Sequence, residues 1–312
     1  MIELNAAGCL NLPRPDQHSI KPENKMNHRF VSIPCQTQIL AGALFIPIET
    51  PLAPFPCLIL CHGAFEYKEN FYEMADGLRQ AGIASVVIDM PGHGDSFGER
   101  FHIDIDLWVQ AIRSTIDFIA QLPDIDSRRI GAFGFSSGGT AVLEAALAEP
   151  RLKALITLDA TIRNYLGVWV TLSFKALNHI GKIKKRMTGK ELRLNLVYFL
   201  KTAQVACDPA VNQSVVSNPR MIDAYSAFPL PGASQCAFVD TITRVHRISI
   251  PTLVIHGQED QVDSPATARL LHDALTCEKS LEFISPSGHC GHLDTQKDRV
   301  LQQTKQWAFK YL

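Results

Sequence analysis

Gly134-Phe135-Ser136-Ser137-Gly138 is the stretch on which the reading of this chain turns. It closes the apolar run Arg129–Phe135, which reads as a strand, and it opens Ser137–Ala148, a helical pattern stopped by Pro150. A serine between a strand and a helix sits on a sharp, strained turn and needs small neighbours. Gly134 and Gly138 supply them. The Ser136 hydroxyl then projects over the edge of a sheet, and the positive end of the following helix favours negative charge developing beside it.

The alternation continues in both directions. Upstream, Arg29–Pro34 and Leu40–Ile48 read as an antiparallel pair around a turn containing Gln36, Thr37 and Gln38. Leu58–Cys61 is continuously apolar, as a strand buried on both faces must be. A helix follows over Asn70–Ala81, then a strand over Ala84–Asp89 and a helix over Asp104–Gln121. Downstream come strand Ala154–Leu158, strand Thr252–His256, helix Pro265–Leu275, strand Leu281–Ser285 and helix Lys297–Tyr311. Strands and helices in alternation predict an α/β fold, a mostly parallel central sheet with helices on both faces. Between Asp159 and Ile248 the alternation stops. That stretch, about 85 residues long, is helix-like and locally basic at Lys182, Lys184, Lys185, Arg186, Lys190 and Arg193. It reads as a helical insertion after the sixth strand, splitting one α/β domain, and it resembles a cap by its position. The expected organisation is an N-terminal arm over 1–27, a core built from 28–160 and 245–312, and a cap over 161–244.

Composition narrows the function. Among 312 residues, 30 Lys+Arg against 31 Asp+Glu give a net charge of −1, without the basic excess that non-specific nucleic-acid binding needs. With 46% hydrophobic and 20% charged residues the chain can bury a core without disulfide or metal staples. The longest apolar stretch, Tyr165 to Phe174, is half of what a membrane span requires. Met1 to Leu10 has neither a basic n-region nor an apolar h-region. The eight cysteines show no metal-type spacing, so they read as reduced, partly buried thiols of a cytoplasmic protein.

A serine hydroxyl becomes a nucleophile only when a base accepts its proton. His289, in Ser287-Gly288-His289, directly follows a strand and so falls at the carboxyl edge of the sheet, where α/β sites lie. His292 competes from a position nearer the last helix. The pair His289-x-x-His292 lacks a further ligand at zinc spacing, so neither a metal nor an organic cofactor is expected. The base needs an orienting carboxylate. Asp260, just past strand Thr252–His256, is the candidate, with Glu259 and Asp263 as alternatives that could instead cap the helix starting near Pro265. An oxyanion needs donors, and the backbone N–H groups of Ser137 and Ala64 are placed to provide them. His62, in the same loop as Ala64, reads as a packing and hydrogen-bonding residue.

The order Ser136, Asp260, His289 and four segments resemble the α/β-hydrolase fold superfamily, in its branch of cytoplasmic esterases, lipases and serine aminopeptidase-like hydrolases. The segments are Leu60-Cys61-His62-Gly63-Ala64, Asp89-Met90-Pro91-Gly92-His93-Gly94-Asp95-Ser96, Gly134-Phe135-Ser136-Ser137-Gly138, and the tail from Val254-Ile255-His256-Gly257 through His289. The resemblance covers about residues 29–160 and 245–312. It implies Ser136 as nucleophile, His289 as base, Asp260 as its orienter and the N–H groups of Ala64 and Ser137 as oxyanion hole. It implies a structural role for loop 91–96. Related dehalogenases and epoxide hydrolases carry Asp where this chain has Ser136. The expected activity is hydrolysis of carboxylic esters or thioesters with a small to medium apolar acyl group. An acyltransferase using the same residues, an amidase or peptidase, and a non-catalytic binding protein are the alternatives. Peptidase relatives use an acidic patch for a substrate amine, whereas this cap is basic. The expected partner is a small molecule and not nucleic acid. The basic run 182–193 reads as a solvated face in preference to a membrane contact.

Overall fold

The structure, a computed structural model, describes residues 28–48 and 53–312. The expected arm over 1–27 lies outside the described residues.

Strands β1 (Arg29–Cys35) and β2 (Gln38–Phe45) form a hairpin closed by Gln36 and Thr37, with Gln36 at φ 54°. After β3 (Phe55–Cys61) come a short 3-10 turn (Lys68–Phe71), helix α1 (Tyr72–Gln80) and β4 (Ala84–Ile88). Helix α2 (Ile105–Ile119) begins where the Leu107 N–H donates to the Asp104 carboxylate at 3.1 Å, a side-chain cap. Then follow β5 (Ile125–Phe135), α3 (Ser137–Ala146) and β6 (Leu152–Leu158). β5 starts earlier than its apolar run suggests, because Ile125 pairs with Phe55 and a bulge absorbs the register shift before Cys57.

Past β6 the chain leaves the sheet. Helices α4 (Val168–Thr188), α5 (Val197–Thr202), α6 (Pro209–Ser217) and α7 (Pro219–Ser226) follow, with strands β7 (Leu192–Leu194) and β8 (Phe228–Leu230) pairing antiparallel. That ribbon was not foreseen, since three residues are too few to show alternation. The chain returns through β9 (Thr252–Gly257), α8 (Pro265–Ala274), β10 (Lys279–Ile284) and α9 (Lys297–Tyr311). The eight-stranded sheet runs β1-β2-β4-β3-β5-β6-β9-β10, parallel from β4 to β10, with β1 and β2 antiparallel at one edge. This is the α/β-hydrolase fold.

Alternate side chains of β3 point to opposite faces and both faces are covered. Cys57, Ile59 and Cys61 pack with Trp108, Ile112 and Ile116 of α2 and Leu143 of α3. Leu58 and Leu60 pack with Leu78 of α1 and with Val300 and Trp307 of α9. Hence the strands read as unbroken apolar runs.

A buried ion pair ties the loops at the carboxyl edge. Lys68 donates from its backbone N–H to Asp89 Oδ1 (2.8 Å) and from Nζ to Asp89 Oδ2 and Asp95 Oδ2 (2.7 Å each). Ser96 Oγ donates to the Asp89 carbonyl (2.6 Å) and accepts from the Ala41 N–H (2.9 Å), and Trp108 Nε1 donates to the Pro91 carbonyl (3.1 Å). Loop 91–96 is therefore lashed to β2, α2 and the 3-10 turn. Lys68→Met would leave a buried, uncompensated Asp89 carboxylate. Urea unfolding should show a loss of about 3–5 kcal/mol, against under ~1 kcal/mol for Lys297→Met, which breaks the exposed pair with Glu73.

Candidate active site

Ser136 stands between β5 and α3 at φ 52°, ψ −119°, a left-handed conformation that costs a non-glycine residue energy. The turn admits no side chain two residues to either side of it. A Cβ on Gly134 would lie 2.3 Å from the Gly138 carbonyl oxygen, and one on Gly138 would lie 2.4 Å from that of His62. The Ser136 N–H donates to the Leu158 carbonyl (3.0 Å) and its carbonyl accepts from the Thr140 N–H (3.2 Å). Position and orientation of the hydroxyl are thus set by backbone.

The loop after β10 brings His289 to it. Ser136 Oγ and His289 Nε2 are 3.1 Å apart, and His289 Nδ1 and Asp260 Oδ2 are 2.8 Å apart. In the neutral imidazole, with Nδ1–H donating to Asp260, Nε2 is the nitrogen that can accept the serine proton. Asp260 is itself fixed, because its Oδ1 accepts the N–H groups of Val262 (2.7 Å) and Asp263 (3.0 Å).

The competing residues are engaged elsewhere. Asp263 accepts from Thr161 Oγ1 (2.7 Å), and α8 is capped by Ser264, whose Oγ accepts from the Ala266 N–H. Glu259 pins the loop before His289, accepting from Ser285 Oγ (2.7 Å) and the Ser287 N–H (2.8 Å). His292 stacks on Phe71 with ring centres 4.3 Å apart, and its Nε2 lies 3.4 Å from Glu66 Oε1. His62 is buried, its Nδ1 donating to the Gly63 carbonyl (2.7 Å) and its Nε2 accepting from the Met90 N–H (2.9 Å).

Three residues escaped the sequence reading. His256 packs behind Asp260, with Nε2 2.9 Å from the Asp263 carbonyl and 3.3 Å from Asp260 Oδ2. Behind it lies Asp159, 3.6 Å from His256 Nδ1, at φ 49° and fully buried. Both end strands at the carboxyl edge, which is the signal that could have marked them. The third is Glu66, which lines the cavity beside Ser136 with its buried Oε2 unpartnered.

Burial disfavours the His289 imidazolium, but the Asp260 charge and hydrogen bond, with Asp159 and Asp263 near, outweigh it and push the group up to about 9. Burial opposes ionisation of Asp260 too, yet His289 and His256 hold it well below the usual carboxylate range. Burial raises Asp159 to about 7. Two thiols face the same cavity, and burial pushes Cys236 up to about 12 and Cys290 well above the ordinary thiol value, so neither offers a thiolate.

The cavity encloses about 210 Å³. Ala64, Ser136, Ser137 and His289 line it from the core. Val205, Val215, Met221 and Tyr225 line it from the segment between β6 and β9.

The family model for serine aminopeptidase, S33, matches residues 53–296. An uncharacterised 31.7 kDa protein from the traX–finO intergenic region of Escherichia coli is 26% identical over 273 residues, covering 82% of this chain and 91% of that one. A monoacylglycerol lipase of Mycolicibacterium smegmatis is 24% identical over 270 residues, covering 83% and 90%. The monoacylglycerol lipase structure from Paleococcus ferrophilus superposes with a TM-score of 0.66 at 20% identity, covering 87% of this chain and 98% of that one.

The charge arrangement is open to direct measurement. An NMR titration should place the His289 imidazole above the ordinary 6.5, and Asp260→Asn should bring it down by about 1–2 pH units, since the attracting charge is gone. A raised histidine stabilises the fold below its unfolded value. That contribution should drain away as pH rises from about 6.5 to about 9.

Proposed function

The chain belongs to the serine aminopeptidase (S33) family of α/β-hydrolases, and from that premise we propose that it is a serine hydrolase cleaving carboxylic esters or thioesters of a short to medium apolar acyl group. The observation that carries the reading is the unbroken line from Ser136 Oγ through His289 to Asp260, at 3.1 and 2.8 Å. In this mechanism His289 Nε2 takes the Ser136 proton as Oγ attacks the acyl carbon. The oxyanion is held by the Ala64 and Ser137 N–H groups. His289 then protonates the leaving alcohol or thiol, and a water, deprotonated by the same imidazole, releases the acid.

Residues 161–244 serve in this proposal as the cap that shapes the acyl pocket. Support comes from Val205, Val215, Met221 and Tyr225, which face Phe65 and Leu293 across a cavity of 210 Å³, below the ~300–1,000 Å³ usual for drug-sized ligands. Cys35, Cys57, Cys61, Cys207, Cys236, Cys277 and Cys290 are free thiols, which suits the reducing conditions of the cytoplasm. Among the described residues no helix is long and apolar enough to cross a membrane.

One observation favours a second reading. Glu66, whose carboxyl His292 holds below its usual range against the pull of burial, is an acid among the residues lining the cavity, and a cavity-lining carboxylate is what pairing with a substrate amine, as in an aminopeptidase, would use.

A fluorophosphonate probe should label the wild type and not Ser136→Ala. Hydrolysis of p-nitrophenyl butyrate should fall about 10⁴–10⁶-fold in Ser136→Ala and about 10⁴-fold in Asp260→Asn, with butyrate and hexanoate preferred over palmitate. Turnover of aminoacyl p-nitroanilides in place of these esters would transfer the assignment to the peptidase reading. Absence of labelling in folded wild type would refute both.

A further inference from the structure

Helix α4 turns the wrong face to water. Thr171, Phe174, Leu177 and Gly181 form its inner stripe, and Gly181 lies so close to β8 that a Cβ there would sit 2.4 Å from the Leu230 carbonyl oxygen. On the opposite side Trp169, Leu172, Ala176, Ile180, Ile183 and Met187 recur at helical spacing and fall within about a quarter-turn of one another. Trp169 is 81% exposed and Met187 79%. Tyr198 and Phe199 of α5 are exposed as well. Among the described residues nothing covers this stripe.

Charge surrounds it. From Arg163 to Lys201 there are nine Lys/Arg and a single acid, Glu191, so this segment carries +8 in a chain whose total is −1. Glu191 pairs with Lys185 and Arg193. Lys175, Lys182, Lys184, Arg186, Lys190 and Lys201 form no ion pair among the described residues. Lys175, Lys182 and Arg186 flank the apolar stripe on one side and Lys184 on the other.

We propose that the outer face of α4 docks on an anionic lipid surface, with Trp169, Leu172, Ile180, Ile183 and Met187 seated at the headgroup–acyl boundary and the flanking lysines and Arg186 on the headgroups. An apolar stripe rimmed by cations and lying outside the fold is what in-plane membrane association requires. A second copy of the chain would bring +8 against +8. A nucleic acid would engage the cations and leave the aliphatic stripe in water. The sequence reading preferred a solvated face for the basic run 182–193, because a run of charges is usually solvated; the exposed apolar stripe beside it is what the structure adds. Docking would also bring the cavity toward the lipid, since Tyr165, which lines it, precedes Trp169 by four residues in the loop that leads into α4. The inference stands independently of the hydrolase reading.

The three tryptophans provide the readout, because Trp108 and Trp307 are buried and Trp169 is not. The full chain should co-sediment with phosphatidylcholine vesicles carrying about one-third phosphatidylserine, and not with phosphatidylcholine alone. Its emission should shift to the blue on binding, and Trp169→Phe should abolish the shift. Raising salt should weaken binding. Lys182→Glu/Arg186→Glu and Leu172→Ser/Ile183→Ser should each weaken it roughly tenfold or more, while circular dichroism and turnover of p-nitrophenyl butyrate stay unchanged. Failure to co-sediment at low salt would overturn the proposal. So would a dimer that shields Trp169, a Trp169 already blue-shifted without lipid, or salt-sensitive binding to nucleic acid with none to vesicles.

Discussion

The structure depends on one crowded turn. Ser136 sits at φ 52° because β5 must stop, reverse into α3 and leave its hydroxyl above the sheet. Strain of this kind costs about 1–3 kcal/mol and persists only where the surroundings over-determine it. Here they do. Gly134 touches Gly138, Gly138 touches the backbone of Cys61 and His62, and Gly63 is seated against Phe135 and Ser136. The central strands β3 and β5 supply both sides of that contact, so the position of the serine is a property of the core. The proposed oxyanion donors, on the β3 loop and the first turn of α3, inherit the same rigidity.

Around that turn the protein buries more charge than a Ser-His-Asp arrangement needs. Asp159, Asp260 and Asp263 lie with His256 and His289 in a water-poor site. Three isolated carboxylates there would be intolerable. They are tolerated because each has partners: Asp260 two backbone N–H groups and two imidazoles, Asp263 the Thr161 hydroxyl, Asp159 the Gly257 N–H at 2.7 Å. Asp260 Oδ2 is shared between His289 and His256, so whatever His256 takes of that negative charge is withheld from His289. Behind Asp260 therefore lie a second imidazole and a second carboxylate, His256 and Asp159.

Much of this was legible in the sequence, and the illegible parts have physical causes. The parallel strands announce themselves because burial on both faces demands continuous apolar runs, and Lys297–Tyr311 has the bounds that its periodicity predicts. Ser136, Asp260 and His289 converge from positions up to 153 residues apart, and each could be placed because each follows a strand directly. Asp260 was preferred over Asp263 because it lies nearer the strand end, and the structure turns the acid three residues on toward Thr161. His256 and Asp159 were invisible for the opposite reason. They lie at the last residues of apolar strands, where a polar residue reads as the strand's end. The segment between β6 and β9 was read as a helical, basic insertion without its individual elements, because most of them are short and its ribbon has three residues a side.

That segment divides its surfaces in a way the core does not. The core closes both faces of its sheet with helices, and its large exposed apolar residues lie singly along edges and ends, as Phe30 and Phe309 do. Residues 161–244 instead split their apolar content in two. One set, with Val205, Val215, Met221 and Tyr225, turns toward Ser136, and the other, on α4, turns away from the protein with the cations around it. A single apolar stripe would have sufficed to attach α4 to the fold, and Phe174, Leu177 and Gly181 already do so. The outer stripe contributes nothing to that attachment and costs solubility. A helix that carries both stripes has two interfaces to satisfy, and only the inner one lies within the protein.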